Sequence, residues 1–242
     1  MKKIELQNLS FAYDQTPVLK TINLYVNQGE IVSILGPSGV GKTTLFNLIA
    51  GILPVQEGKI LVDGEENPKG KVSYMLQKDL LLEHKTILGN VILPLTIRGV
   101  KKAEAIRQAD GLLAEFGLEH VRNSYPHELS GGMRQRIALL RTYLFGQNLF
   151  LLDEAFSALD ELTKMTLHNW YLDIHEQLKL TTILITHSID EAIKLSNRIY
   201  ILNHKPGQIV AELTMDWQEA QEPELAKLRY KEAILDLLGL KN

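Results

Sequence analysis

The sequence predicts an α/β fold with a mostly parallel sheet, an antiparallel β region near the N-terminus and a helical insertion, on three observations. An apolar run at 31–35 leads through the stretch Gly36-Pro37-Ser38-Gly39-Val40-Gly41-Lys42-Thr43-Thr44 into a helical pattern at 45–50, ended by Gly51 and Pro54. Near-continuous apolar runs recur at 149–152, 182–186 and 198–202, separated by helical stretches, as strands buried on both faces of a parallel sheet require. Between Gln77 and about residue 145 the patterns are helical, and they interrupt the strand series as an insertion.

Taken in order, residues 4–7 alternate apolar and polar, and the chain then reaches Phe11-Ala12-Tyr13-Asp14. A second strand-like piece, 22–26, ends at the turn Asn27-Gln28-Gly29. Together these predict a small antiparallel region beside a nucleotide core. Tyr13 stands about twenty residues before the glycine loop, where its ring is placed to stack on a purine, a contact worth roughly 1–3 kcal/mol in single-strand nucleic-acid sites. Residues 58–64 read as a short strand into a turn, and 71–76 as another that delivers Gln77 at its end. Helical spacing over 101–116 stops at Gly117. The tail from Pro223 through Leu225, Leu228, Ile234, Leu235 and Leu238 predicts one or two amphipathic helices packed on the core.

Composition bounds the function. The 242 residues are 45% hydrophobic and 23% charged, ordinary for a soluble globular chain that buries a substantial core. A formal net charge of -3 gives no general attraction to nucleic acid or anionic lipid, so no nucleic-acid partner is expected. The absence of cysteine excludes disulfides, thiolate zinc sites and cysteine nucleophiles. The start, Met1-Lys2-Lys3-Ile4, lacks the apolar core of a signal peptide, and no apolar run is long enough to cross a bilayer. The expectation is a cytoplasmic protein that needs a partner's spanning helices for any work at a membrane.

The glycine loop has two glycines four residues apart, then Lys42 and Thr43. Glycines allow the tight turn that aims backbone N–H groups inward. Lys42 sets a positive charge against β- and γ-phosphates, and the Thr43 hydroxyl suits Mg2+. The helix that follows turns its positive dipole end toward the anion. Asp153 and Glu154 end an apolar strand, where one carboxylate would reach Mg2+ and the other would take a proton from an attacking water. His187 ends the next strand, at the edge where open α/β sheets bind ligands. The remaining histidines, His84, His120, His127, His168, His175 and His204, show no metal-like spacing and are expected on the surface. Ser130-Gly131-Gly132-Met133 precedes a helical run and makes a second anion-binding helix start. A phosphate wrapped by one loop has one open side, which a second copy arranged head to tail by a two-fold axis would close.

The phosphate loop, Tyr13, Gln77, Leu129-Ser130-Gly131-Gly132, Leu151-Leu152-Asp153-Glu154, Ser157-Ala158-Leu159-Asp160 and His187, in that order, resemble the ATP-binding subunit of an ATP-binding-cassette (ABC) transporter over about residues 4–203. The resemblance implies a single ABC ATPase domain: a P-loop NTPase core at about 1–77 and 146–215, a helical subdomain at about 78–145 and a helical tail at about 216–242. It implies that residues 36–44 and Tyr13 bind ATP, and that Thr43, Gln77 and Asp153 serve Mg2+. Glu154 would be the catalytic base, with His187 and Gln77 beside the attacking water. Ser130, Gly131, Gly132 and Met133 would meet ATP held by the other protomer, and Asp160 would couple the two sites. The implied partners are a second copy, transmembrane permease subunits and, indirectly, a substrate-binding protein, with this chain peripheral on the inner face of the membrane. The segment Asp79-Leu80-Leu81-Leu82 lies where the family receives a permease helix.

Met133 stands where the family commonly has glutamine, and Ala155 where proline often follows the acid pair. Met-Arg-Gln-Arg after the glycines resembles importers of nitrate, sulfonate, taurine and thiamine-precursor pyrimidines. An ABC ATPase serving a non-transport or export complex is the alternative, but the long heptad insertions of DNA-repair forms and the doubled cassettes of translation-associated forms do not occur here.

Overall fold

The computed structural model describes residues 1–157 and 159–240. β1 (Lys2–Tyr13) turns directly into β2 (Thr16–Asn27), and period-two alternation, reset by irregularities at Asn8 (φ 49) and Thr21 (φ 51), buries Ile4, Leu6, Leu9 and Phe11 against Leu19, Ile22, Leu24 and Val26. Both strands run well beyond the apolar stretches at 4–7 and 22–26 because antiparallel pairing continues through residues that face solvent. β4 (Glu57–Val62) pairs with β1, and β5 (Glu65–Glu66) completes a four-stranded antiparallel sheet in the order β2-β1-β4-β5.

The second sheet begins with β3 (Ile31–Leu35), which feeds α1 (Lys42–Ile49), and continues with β6 (Ser73–Met75). After the helices come β7 (Leu149–Asp153), β8 (Thr181–Thr186), β9 (Arg198–Asn203) and β10 (Gln208–Thr214). The order is β10-β9-β3-β8-β7-β6, parallel between all neighbours except β10 and β9. Every residue of β3, β7 and β8 is buried, which explains their unbroken apolar pattern. β10 is an edge strand with no counterpart in the sequence reading: its apolar run, Ile209-Val210-Ala211, is short and broken by Glu212, and the strand is half-exposed.

Four helices separate β6 from β7: α2 (Ile87–Val91), α3 (Leu93–Ile97), α4 (Lys102–Glu115) and α5 (Gly131–Tyr143). Ala105, Ala109 and Leu113 form the buried stripe of α4 and share a core with Ile87, Val91, Ile137 and Leu140. α6 (Glu161–Gln177) and α7 (Ile189–Leu195) follow β7 and β8. The tail is one helix, α8 (Pro223–Leu237). Its apolar docking is by the C-terminal part, where Ile234 is buried with Tyr230, Leu237 and Leu238 around it; Leu225 and Leu228 stay exposed, and Lys227 lies over the Trp217 ring. Arg198 joins the two sheets by donating to Glu30 (2.5 and 2.9 Å), Glu212 (2.6 Å) and the Tyr25 carbonyl (2.9 Å).

Two of the six histidines expected on the surface are buried. The inward stripe of α6 is Leu167, His168, Tyr171, Ile174 and His175, so helical spacing carries both rings into the core. His168 Nε2 meets Glu191 Oε1 at 2.9 Å. His175 Nε2 has no hydrogen-bond partner, and burial pushes its pKa down from 6.5 to about 4.

The unfolded chain therefore takes up this proton before the folded one. Stability is full above pH 6.5 and falls as pH drops toward 4. Near pH 5 the loss from His175 alone is about 2 kcal/mol by linkage. Urea midpoints at pH 7.5 and 5 should show a smaller acid loss in His175→Leu than in the wild type; an equal loss contradicts this assignment.

Candidate functional site

β3, β8, β7 and β6 are consecutive neighbours whose carboxyl ends lie at nearly one level: Leu35 pairs with Thr186, Ile185 with Asp153, and Leu152 with Met75. The chain leaves these four ends through the glycine loop, His187, Glu154 and the segment holding Gln77. One edge thereby collects residues spread over more than a hundred positions.

The glycine loop is shaped by close packing. A methyl group on Gly36 would lie 2.2 Å from the Leu202 carbonyl oxygen, and one on Gly41 would lie 2.8 Å from Leu19 Cδ2. Gly41 also has φ +107, a conformation side chains disfavour. Pro37, Ser38 and Gly39 are exposed at the tip, and Val40 is buried. Lys42 is buried, and its Nζ donates to the carbonyls of Gly36 (2.7 Å) and Pro37 (2.9 Å). Burial draws the Lys42 pKa below its ordinary value, and the charges of Glu154 and Asp153 oppose that shift. Thr43 and Thr44 open α1, with Thr43 exposed. Lys205, on the turn after β9, was not singled out in the sequence; its Nζ would lie 4.0 Å from a methyl group on Gly39.

The carboxylates are distinct. Asp153 is buried, and its Oδ2 accepts from Tyr74 Oη (3.2 Å) and Thr43 Oγ1 (3.5 Å). Burial pushes its pKa up, the Tyr74 hydroxyl counters, and the Glu154 charge adds to the rise. Glu154 is partly exposed, with φ +49, left-handed backbone that costs an ordinary residue of order 1–3 kcal/mol. Its Oε2 accepts from Gln77 Nε2 at 3.2 Å and lies 3.5 Å from His187 Nδ1. Gln77 Nε2 also donates to Ser157 Oγ at 3.3 Å. Lys42, Thr43, Asp153, Glu154, Gln77 and His187 are thus joined around one edge by contacts or by charge.

These atoms fit a magnesium triphosphate. The donors are one hydroxyl, one carboxylate and one amide, the sparse oxygen set that suits Mg2+ shared with phosphate oxygens. Among the described residues no three His, Asp or Glu side chains gather as a separate metal cage.

The other sequence-derived residues have local partners of their own. Tyr13 is exposed at the β1–β2 turn with its ring edge-on to Phe11, centroids 4.9 Å apart. Ser130 caps α5, its Oγ accepting from Met133 N at 3.3 Å. A methyl group on Gly132 would lie 2.6 Å from Thr163 Cγ2 and one on Gly131 3.1 Å from Leu159 Cδ2, so the paired glycines let α5 start against α6. Met133 is half-buried and packs into the helical core. Asp160 caps α6 through Thr163 N at 3.0 Å; Ala158, two residues before it, lies outside the described residues. Among the described residues no hydrogen bond or ion pair joins 130–133 to the glycine loop.

A different link, unmarked in the sequence, ties α5 to the segment after Gln77. Arg134 donates to Asp79 (2.9 and 3.2 Å) and Glu83 (2.9 Å), and Arg141 donates to the carbonyls of Asp79 and Leu80. Burial pushes the Asp79 carboxyl up, but the Arg134 guanidinium and the Leu81 amide hold it below its ordinary value.

Comparison with known proteins agrees with this geometry. The ABC transporter family model matches residues 19–157. The formylaminopyrimidine import ATP-binding protein of Halalkalibacterium halodurans is 44% identical over 204 residues, 84% of this chain and 80% of that protein. The aliphatic sulfonates import ATP-binding protein of Bacillus cereus is 41% identical over 194 residues, 79% of this chain and 76% of that one. The dimeric post-hydrolysis structure of an ATP-binding cassette bound to ADP and Pi superposes with a TM-score of 0.74 at 28% identity, covering 88% of this chain and 98% of that one. A parallel strand edge carrying a glycine loop, an acid pair, a glutamine and a histidine, together with these matches, places the chain in the ABC transporter family as an ATP-binding subunit of the importer kind, and as an ATPase.

Proposed function

We propose that two copies of this chain close head to tail on two ATP molecules and use their hydrolysis to drive a membrane importer of small solutes, of the nitrate, sulfonate, taurine or pyrimidine-precursor type. The carrying observation is which groups one chain brings into contact. Thr43 of the glycine loop bonds Asp153, next to the Gln77–Glu154–His187 cluster, whereas among the described residues no hydrogen bond or ion pair joins residues 130–133 to that loop. A second copy supplies what one chain leaves open. The dimeric ADP- and Pi-bound cassette supports the arrangement, and the names of the pyrimidine and sulfonate relatives support the solute class.

In this proposal residues 36–44 cradle the phosphates, Lys42 turns from its own carbonyls to them, and Tyr13 stacks on adenine. Thr43, Asp153 and Gln77 would hold Mg2+, which would supply charge neutralisation for the triphosphate. Glu154 takes the proton of the attacking water, oriented by Gln77 and His187, which already touch its carboxylate. Ser130, Gly131, Gly132 and Met133 face the partner's triphosphate, and Asp160 links the two sites. The domain division follows: a nucleotide core at about 1–77 and 146–215, a helical subdomain at about 78–145 and the tail. Among the described residues no helix is long and apolar enough to cross a membrane, so permease subunits would provide the spanning helices, fed by a substrate-binding protein, with this chain at the inner face. Arg134 and Arg141 connect the Ser130 helix to residues 79–83, the segment proposed to meet the permease.

Lys42→Ala removes charge-assisted bonds to phosphate worth about 1.5–3 kcal/mol each, so ATP affinity should fall at least about 10-fold by equilibrium binding. Wild-type affinity contradicts the loop assignment. Glu154→Gln should keep ATP binding and slow steady-state hydrolysis by roughly 10²–10⁴, the usual worth of a general base; an unchanged rate removes Glu154 from that role.

A further inference from the structure

We infer that Tyr74 is a positioning residue for Mg2+, acting through the Asp153 carboxylate. This rests on the proposal above that Asp153 serves the metal. Tyr74 sits in β6 between buried Ser73 and Met75, and strand alternation sends its ring to the other face, toward α1. There the ring meets Phe46 edge-on, centroids 5.8 Å apart at 81°. The phenol thus reaches Asp153 from a ring held by the same helix that Lys42 and Thr43 open.

Its hydroxyl donates to Asp153 Oδ2 at 3.2 Å. Among the described residues the other protein donor to that carboxylate is Thr43 Oγ1 at 3.5 Å, on the same oxygen. Oδ1 takes no protein hydrogen bond among the described residues. A proposed metal ligand is therefore fixed in rotation chiefly by one phenol, and its second oxygen is left with its lone pairs. Thr43 is itself a proposed Mg2+ ligand, so its weak bond to Asp153 gives way when the metal is held. The Tyr74 bond does not compete in this way, because a phenol is no ligand in the proposed site. Partners that orient metal-ligating carboxylates typically contribute 10–100-fold to metal affinity.

Tyr74→Phe keeps the ring against Phe46 and deletes only the donor. Binding of a non-hydrolysable ATP analogue is measured by calorimetry in EDTA and across a Mg2+ series, for wild type, Tyr74→Phe and Asp153→Asn, with thermal melting recorded for each. The inference predicts that Tyr74→Phe melts as wild type does, binds nucleotide equally in EDTA, and needs about 10-fold more Mg2+ for half of the Mg2+-dependent gain in affinity. A wild-type Mg2+ midpoint in Tyr74→Phe, with a raised one in Asp153→Asn, overturns the role of Tyr74 alone. A wild-type midpoint in Asp153→Asn overturns the metal assignment of Asp153 and this inference with it. Affinity lost equally in EDTA shows a general structural role and overturns the inference.

Discussion

Uninterrupted parallel hydrogen bonding between β3, β8, β7 and β6 decides where the glycine loop, Gln77, Asp153, Glu154 and His187 stand. Because these strands pair in register, the chain leaves the sheet at neighbouring points along one edge. The segments that follow can then touch without long excursions. Burial of β3, β7 and β8 on both faces makes the edge stiff, since any slip would move a row of close-packed side chains. Glu154, at φ +49, is strained backbone that this stiffness holds in place, and the result points its carboxylate at both Gln77 and His187.

The same chain builds a second element that is complete only as local structure. Gly131 and Gly132 let α5 start close against α6, and Ser130 caps it, so its conformation has a sufficient explanation in packing. Its chemistry has no such explanation within one chain. The two arginines of α5 that grip residues 79–83 tie this helix start to the segment beyond Gln77. Through these ion pairs and hydrogen bonds α5 and the segment that follows Gln77, whose side chain touches Glu154, are held as one piece.

Much of this was legible in the sequence because parallel strands buried on both faces leave unbroken apolar runs, and because loops directly after such runs carry the chemistry. That position marked Asp153, Glu154 and His187 as candidates, Gln77 was marked by the family resemblance, and the structure brings Gln77 and His187 to the Glu154 carboxylate. The lengths of β1 and β2 and the existence of β10 were not, since solvent-facing alternation resembles loop sequence and the three-residue apolar run of a half-exposed edge strand is too short to stand out. His168 and His175 were misplaced because one side chain's polarity was weighed above the spacing of the whole helix, which carries both inward. Tyr74 gave no signal, and Arg134 only as part of the Met-Arg-Gln-Arg stretch: the partner of each is about 80 or about 55 positions away, a distance only the fold closes.

The central claim is that a triphosphate is enclosed by two copies, the glycine loop of one facing the Ser130 helix start of the other. Light scattering on Glu154→Gln with Mg2+ and ATP, with and without Ser130→Arg in the same chain, tests it most directly. The account predicts that ATP doubles the mass of the first protein, and that the second still binds ATP but remains a single chain. A single chain in both, or a dimer that Ser130→Arg leaves intact, would contradict it.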